Sequence, residues 1–140
     1  MVELRQRGIT VPAPGGNPWS QDADGISGVD RYVHLCFRPN HPMELLARQA
    51  GHIQDTIFLQ INPAVIYNDG VQFTSEVANK SGAILHTMEE AKTLIDFEVL
   101  YTRTDWSNPA IQQRLLNAEK CEILVPTLIP LNMIRNFPNN

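Results

Sequence analysis

The order of strand-like and helix-like segments narrows the fold of this chain more than any other feature. Residues 31–37, RYVHLCF, set Tyr32, His34 and Cys36 on one face and Val33, Leu35 and Phe37 on the other, the two-residue period of a β-strand. TIFLQI at 56–61 and CEILVP at 121–126 predict two more strands, and residues 130–134 a short last one. Between them lie short helical patterns, not one long helix per strand. Pro42 suits a first helical position, and Met43, Leu46, Ala47 and Ala50 share a face up to Gly51. Thr87 and Glu90 have capping-box spacing, and Ala91, Leu94, Ile95 and Val99 continue a helix expected from 88 to 101. Pro109, Ile111, Leu115 and Leu116 predict another to about 118. Asn62-Pro63 predicts a single helical turn through Ile66, and Asp69-Gly70 a tight turn into VQFT. Strands mixed with short helices, without regular βαβ alternation, favour an α+β fold over a doubly wound sheet.

The remaining segments read as punctuation. ELRQR at 3–7 has the look of a helix end stopped by Gly8, and residues 12–28 form one long loop rich in Gly, Pro, Asp and Ser, as do the small and polar residues 75–82. A chain of 140 residues fits one domain, 1–140. No segment approaches the roughly 18 apolar residues of a membrane helix, so no membrane association is expected. The N-terminus lacks the apolar run of a secretory signal, and the expected compartment is the cytoplasm.

Composition excludes some functions. A net charge of −4 and a pI near 5.5 argue against bulk electrostatic coating of nucleic acid, although a local basic groove stays compatible with scattered bases. Cys36 and Cys121 both lie in apolar runs, which predicts buried free thiols. His34 reads as a hydrogen-bonded strand residue, and His41, His52 and His86 lie in or near turns without metal-ligand spacing, so no metal is expected. The chain has neither a nucleophile elbow nor a Gly-rich phosphate loop.

Glu122 is the residue that stands out. It sits among Cys, Ile, Leu, Val and Pro, where an ionised carboxylate is expensive to bury without a partner. Two readings stay open: a site carboxylate, or a strand-end glutamate facing solvent or paired with an arginine. Glu119, beside Lys120 at a helix end, reads as a solvated carboxylate and ranks below it.

At YVHLCFRPNHPM, residues 32–43, the chain resembles DarT-type ADP-ribosyltransferases, in which an aromatic strand runs into a Pro-Arg-Ser/Asn-Pro-Met turn and a helix. Asn40 stands here for the usual arginine and His41 for the small residue after it. The order of FLQI, EEAKTLIDFEVL, a tryptophan segment and CEILVP matches as well, over about residues 30–135, and the family's glutamate falls on Glu122. The resemblance implies an ADP-ribosyltransferase-like split, mainly antiparallel sheet with short helices. It implies transfer of ADP-ribose from NAD to a base of single-stranded DNA, as the toxin of a pair whose macrodomain antitoxin removes the mark.

Residue by residue, the same resemblance implies Glu122 as the catalytic carboxylate, stabilising charge on the ribose as nicotinamide leaves. Arg5 or Arg7 would grip the NAD phosphates, the alternative being solvated helix-end arginines, and Met43 would join the NAD site. Arg103, Trp106 and Arg114, in the segment ahead of the glutamate, would contact DNA phosphate and stack on a base, the alternative for Trp106 being a buried packing aromatic. The resemblance also implies an N-terminal strand and helix that would lie before Met1, so that strand is expected to be missing. Two other functions follow from the same residues: a noncatalytic binding module that keeps the fold, and an NAD glycohydrolase.

Overall fold

The structure, a computed structural model, describes residues 31–78, 83–102 and 105–136. The expected helix at 3–7, the long loop at 12–28 and the candidates Arg5, Arg7 and Arg103 lie outside these residues. The described chain is α+β. Three strands, β1 (Tyr32–Cys36), β2 (Gln72–Thr74) and β3 (Glu122–Pro126), form one antiparallel sheet in the order β1-β3-β2. Helices α1 (Pro42–Gln49), α2 (Met88–Leu94), α3 (Phe97–Tyr101) and α4 (Pro109–Glu119) join them, with 3-10 turns at Pro63–Tyr67 and Leu131–Met133.

Register divides the labour between the two faces. Val33 pairs with Val125, and Leu35 and Phe73 both pair with Ile123. These side chains pack with Ala91, Ile95, Val99, Leu100 and Ala118 of the α2–α4 region into the main core. The alternate positions place Tyr32 opposite Pro126, His34 opposite Leu124, and Cys36 and Thr74 on either side of Glu122. Period-2 alternation in β1 therefore separates an apolar face from a face that carries polar chemistry.

Three expectations are corrected. TIFLQI does not form a strand; only Ile61 makes a bridge, to Ile134. Residues 58–62 do run beside 133–136, but the Asn136 side chain takes the Phe58 carbonyl (3.1 Å) and the Gln60 N–H (2.6 Å) that a neighbouring backbone would use. Residues 130–134 likewise form a 3-10 turn and that single bridge in place of a strand. The helix expected over 88–101 is two helices, because Ile95 leaves the helical region (ψ 130) and Asp96 starts a new one by accepting the Val99 N–H at 3.1 Å. The capping box of Thr87 and Glu90, Pro42 and Pro109 at helix starts, and the single turn at Pro63 form as expected. So does the turn at Gly70, where φ is +77° and an added Cβ would meet Pro126 Cγ at 3.0 Å.

Asp96 also receives Arg114 through Nε (2.7 Å) and Nη2 (2.9 Å), tying α3 to α4, and Arg114 holds its carboxyl below the usual aspartate range. Asp96→Ala removes the cap and both bonds. It is expected to destabilise the fold by about 1–2 kcal/mol in denaturant titration, the usual cost of a lost cap, with Asp96→Asn losing less because it still caps.

Candidate active site

Glu122 begins the central strand and is 6 % exposed, so it does not face solvent, and among the described residues no arginine pairs with it. Its carboxylate is satisfied by other means. Oε2 accepts a short hydrogen bond from the Ala78 N–H, in the loop after β2 that folds over this face of the sheet. Its backbone N–H donates to Thr74 Oγ1 at 3.2 Å, while the Thr74 hydroxyl donates to the Glu76 carbonyl at 2.6 Å. A carboxylate held by backbone donors in a buried setting keeps a fixed orientation. Oε1 points to two imidazoles, His34 Nδ1 and His41 Nε2, each at 3.7 Å.

The histidines arrive from opposite ends of the β1–α1 connection. His34 lies on the polar face of β1, opposite Leu124. His41 is the N-cap of α1: its Nδ1 accepts the Met43 N–H at 3.3 Å, and Pro42 supplies the first helical position. The ring is buried, which lowers its pKa below 6.5 against the opposing pull of Glu122. Cys36, across the sheet from Glu122, and Cys121, just before it, are both raised by burial and then by the Glu122 charge, Cys121 to about 11. Neither is a thiolate near neutral pH, so a cysteine nucleophile has no support.

A second cluster lies alongside. Glu119, expected to be solvated, is 6 % exposed; Asn40 Nδ2 donates to its Oε2 at 3.0 Å and Arg38 Nη1 stands 3.7 Å from Oε1. The reason is that α4 runs on to Glu119 and the turn after β1 packs against its end. Arg38 lies over the Trp106 ring, 5.9 Å from the centroid, and both line an open cavity of about 460 Å³ with Leu100, Tyr101 and Thr102. Trp106 is half-exposed, so it is not the buried packing aromatic that was the alternative.

Met43 is half-buried in the first turn of α1, next to His41. Arg114, by contrast, is spent on Asp96 and, through Nη2 at 2.9 Å, on Glu98. The structure thus draws Glu122, His34 and His41 together, with the Met43 N–H on His41, sets Trp106 beside Arg38, and turns Arg114 toward a structural pair. Among the described residues no group of three His, Cys, Asp or Glu side chains is arranged to hold a metal, and no helix is long and apolar enough to cross a membrane.

The family model for DarT, described as ssDNA thymidine ADP-ribosyltransferase, matches residues 20–137. The chain belongs to the DarT family. Among solved structures, Thermus sp. 2.9 DarT in complex with ADP-ribosylated ssDNA matches with a TM-score of 0.50 and 20 % identity, over 95 % of this chain. That likeness establishes a DarT fold, and the chain spans 60 % of the length of the Thermus chain. No curated protein matches it.

Within this DarT chain, sequence reasoning singled out Glu122 but missed the residues around it. His34 carried a signal, since alternation put it on the face shared with Cys36, and Cys36 proves to be opposite Glu122. His41 carried a weaker one, its place just before Pro42 being an N-cap. Arg38 and Glu119 carried none, because their meeting depends on how a turn packs against a helix end.

Proposed function

We propose that this DarT-family chain transfers ADP-ribose from NAD to a base of single-stranded DNA, with Glu122 as the catalytic carboxylate. The observation that carries this reading is the buried Glu122: one oxygen is fixed by the Ala78 N–H, and the other is turned toward the polar face of the sheet. The side chains present fit a dinucleotide. Arg38 Nη1 is a buried polar atom without a hydrogen-bond partner among the described residues. The Arg38–Trp106 cavity combines a cation with an aromatic face, as a phosphate and a planar ring require.

NAD supplies an ADP-ribosyl group joined to nicotinamide by a glycosidic bond that leaves positive charge on the ribose as it breaks. Glu122 Oε1 stabilises that charge and accepts a ribose hydroxyl, at no reorganisation cost because Oε2 is already anchored. In the balanced reaction the C1′–nicotinamide bond breaks with its electron pair leaving on nicotinamide. A bond from a base nitrogen to C1′ forms, and the proton of that nitrogen passes to Glu122 or to water.

The remaining assignments follow the same reading. Arg5, Arg7 and Met43 are assigned to NAD, Arg103 and Trp106 to single-stranded DNA, and Arg114 is left to its carboxylates. As the family description names thymidine, a thymidine-containing strand is the first acceptor to try. A cytoplasmic toxin neutralised by a macrodomain antitoxin is the matching biological role.

The test follows labelled NAD with and without a thymidine-containing single-stranded oligonucleotide, alongside calorimetry with NAD. Label on the DNA, with nicotinamide released only when DNA is present, is the expected result. Free ADP-ribose without labelled DNA would identify a glycohydrolase, and a folded protein without NAD affinity a noncatalytic module; either overturns the proposal. Trp106→Ala is expected to weaken oligonucleotide binding by about 1–3 kcal/mol in fluorescence anisotropy, the range for one stacked base. The melting temperature should change little, since the ring is 40 % exposed.

A further inference from the structure

Glu122 and His41 stand in a relation that the role of the carboxylate does not require. His41 Nδ1 accepts the Met43 N–H at 3.3 Å, and an imidazole nitrogen that accepts carries no proton. The ring is therefore neutral, with its proton on Nε2. Glu122 Oε1 stands 3.7 Å from Nε2, and the Lys120 backbone also lies against the ring. A water bridging Nε2 and Oε1 needs roughly two hydrogen-bond lengths, about 5 Å, so the two groups face each other directly. At 3.7 Å they stand about 0.5–1 Å beyond an N–H···O hydrogen bond, and Nε2 is buried without a hydrogen-bond partner among the described residues. Oε2 of Glu122 is taken by Ala78, which leaves Oε1 as the oxygen available for chemistry.

We infer that His41 is the positioning residue for Glu122: its Nε2–H fixes the direction of Oε1, and the α1 N-cap fixes the tautomer that makes this donor available. The inference rests on Glu122 being the catalytic carboxylate. A neutral donor orients a carboxylate without neutralising the charge that the reaction uses. Protonating the ring would put a hydrogen on Nδ1 and break the cap to Met43, so one proton disturbs both the helix start and the site.

The groups facing His41 set when that happens. Glu122 from β3 and Glu119 from α4 favour the charged ring, His34 from β1 opposes it, and burial opposes it most, so the lowered pKa is the net result. The neutral, positioning form therefore holds at neutral pH and is lost only as pH falls below the ordinary histidine value of 6.5.

His41→Asn tests the inference, because asparagine keeps an N-cap acceptor for Met43 while removing the donor to Glu122. The expected result is a fall in kcat of about 10- to 100-fold, the scale of a misplaced reacting group. KM for NAD should stay nearly constant, and the acid loss of kcat below 6.5 expected of the wild type should be absent from the variant. Equal kcat and an unchanged pH profile would overturn it. Glu122→Gln runs in parallel: full activity there overturns the underlying reading, whereas loss there with His41→Asn unaffected overturns only the inference. A readout independent of activity is the ¹⁵N imidazole spectrum. It should show a neutral Nε2–H ring whose titration midpoint drops further in Glu122→Gln, and a midpoint indifferent to Glu122 would also overturn the coupling.

Discussion

Glu122→Gln is expected to cut ADP-ribose transfer to single-stranded DNA by about 10²–10³-fold, the usual scale for losing one preorganised electrostatic contact to a transition state. Glutamine matches the volume of glutamate, and its carbonyl oxygen can still accept the Ala78 N–H that anchors Oε2 in the wild type. Its amide, however, turns a donor toward His41 Nε2–H and His34, where an acceptor stood. The loss should therefore fall on kcat, with a small change in melting temperature. Equal loss of NAD binding would mean that the carboxylate holds the ligand and does not act on the reacting centre.

The largest expected effect on stability lies two residues along the same strand. Leu124 is fully buried at the centre of the sheet and packs against Ala78 and Tyr32. Leu124→Ala should cost about 2–5 kcal/mol in thermal or denaturant unfolding, combining lost transfer energy with a cavity between fixed strands. Ala78 is also the residue whose N–H fixes Glu122, so the cavity opens directly behind the anchor. Activity should fall at temperatures where the variant is still folded. Leu124→Met, which conserves volume, should recover most of both. A variant that unfolds early yet transfers at the wild-type rate when folded would separate packing of the loop from positioning of the carboxylate.

Much of this fold was legible because its signals are local. Alternation in RYVHLCF separates the faces of β1, the Thr87–Glu90 box starts α2, and Pro42 and Pro109 mark helix starts, each needing only a few neighbouring residues. TIFLQI shows the limit. It has strand composition, but the partner backbone supplies only the Asn62–Met133 and Arg135–Gln60 bonds, and beyond them the Asn136 side chain takes the Gln60 N–H and the Phe58 carbonyl, so the ladder stops. The break at Asp96 was hidden for a related reason: its capping role competes with helix continuation, and Arg114, 18 residues later, helps to decide the outcome.

The candidate site was legible at one residue. Glu122 is conspicuous because a carboxylate in an aliphatic strand needs an explanation wherever it lies. Its surroundings come from register and from the packing of turns: His34 through pairing of β1 with β3, His41 through the cap of α1, Ala78 through the loop after β2. None of the contacts that these residues make with Glu122 is near in sequence, and Glu119 shows the converse error, a buried carboxylate that local context reads as solvated.

Mass spectrometry of the nucleosides released from a single-stranded oligonucleotide after incubation with the protein and NAD tests the central claim most directly. The expected result is one nucleoside carrying ADP-ribose on its base, formed by the wild type and reduced to trace by Glu122→Gln. Unmodified nucleosides beside free ADP-ribose, or equal modification by Glu122→Gln, would contradict it.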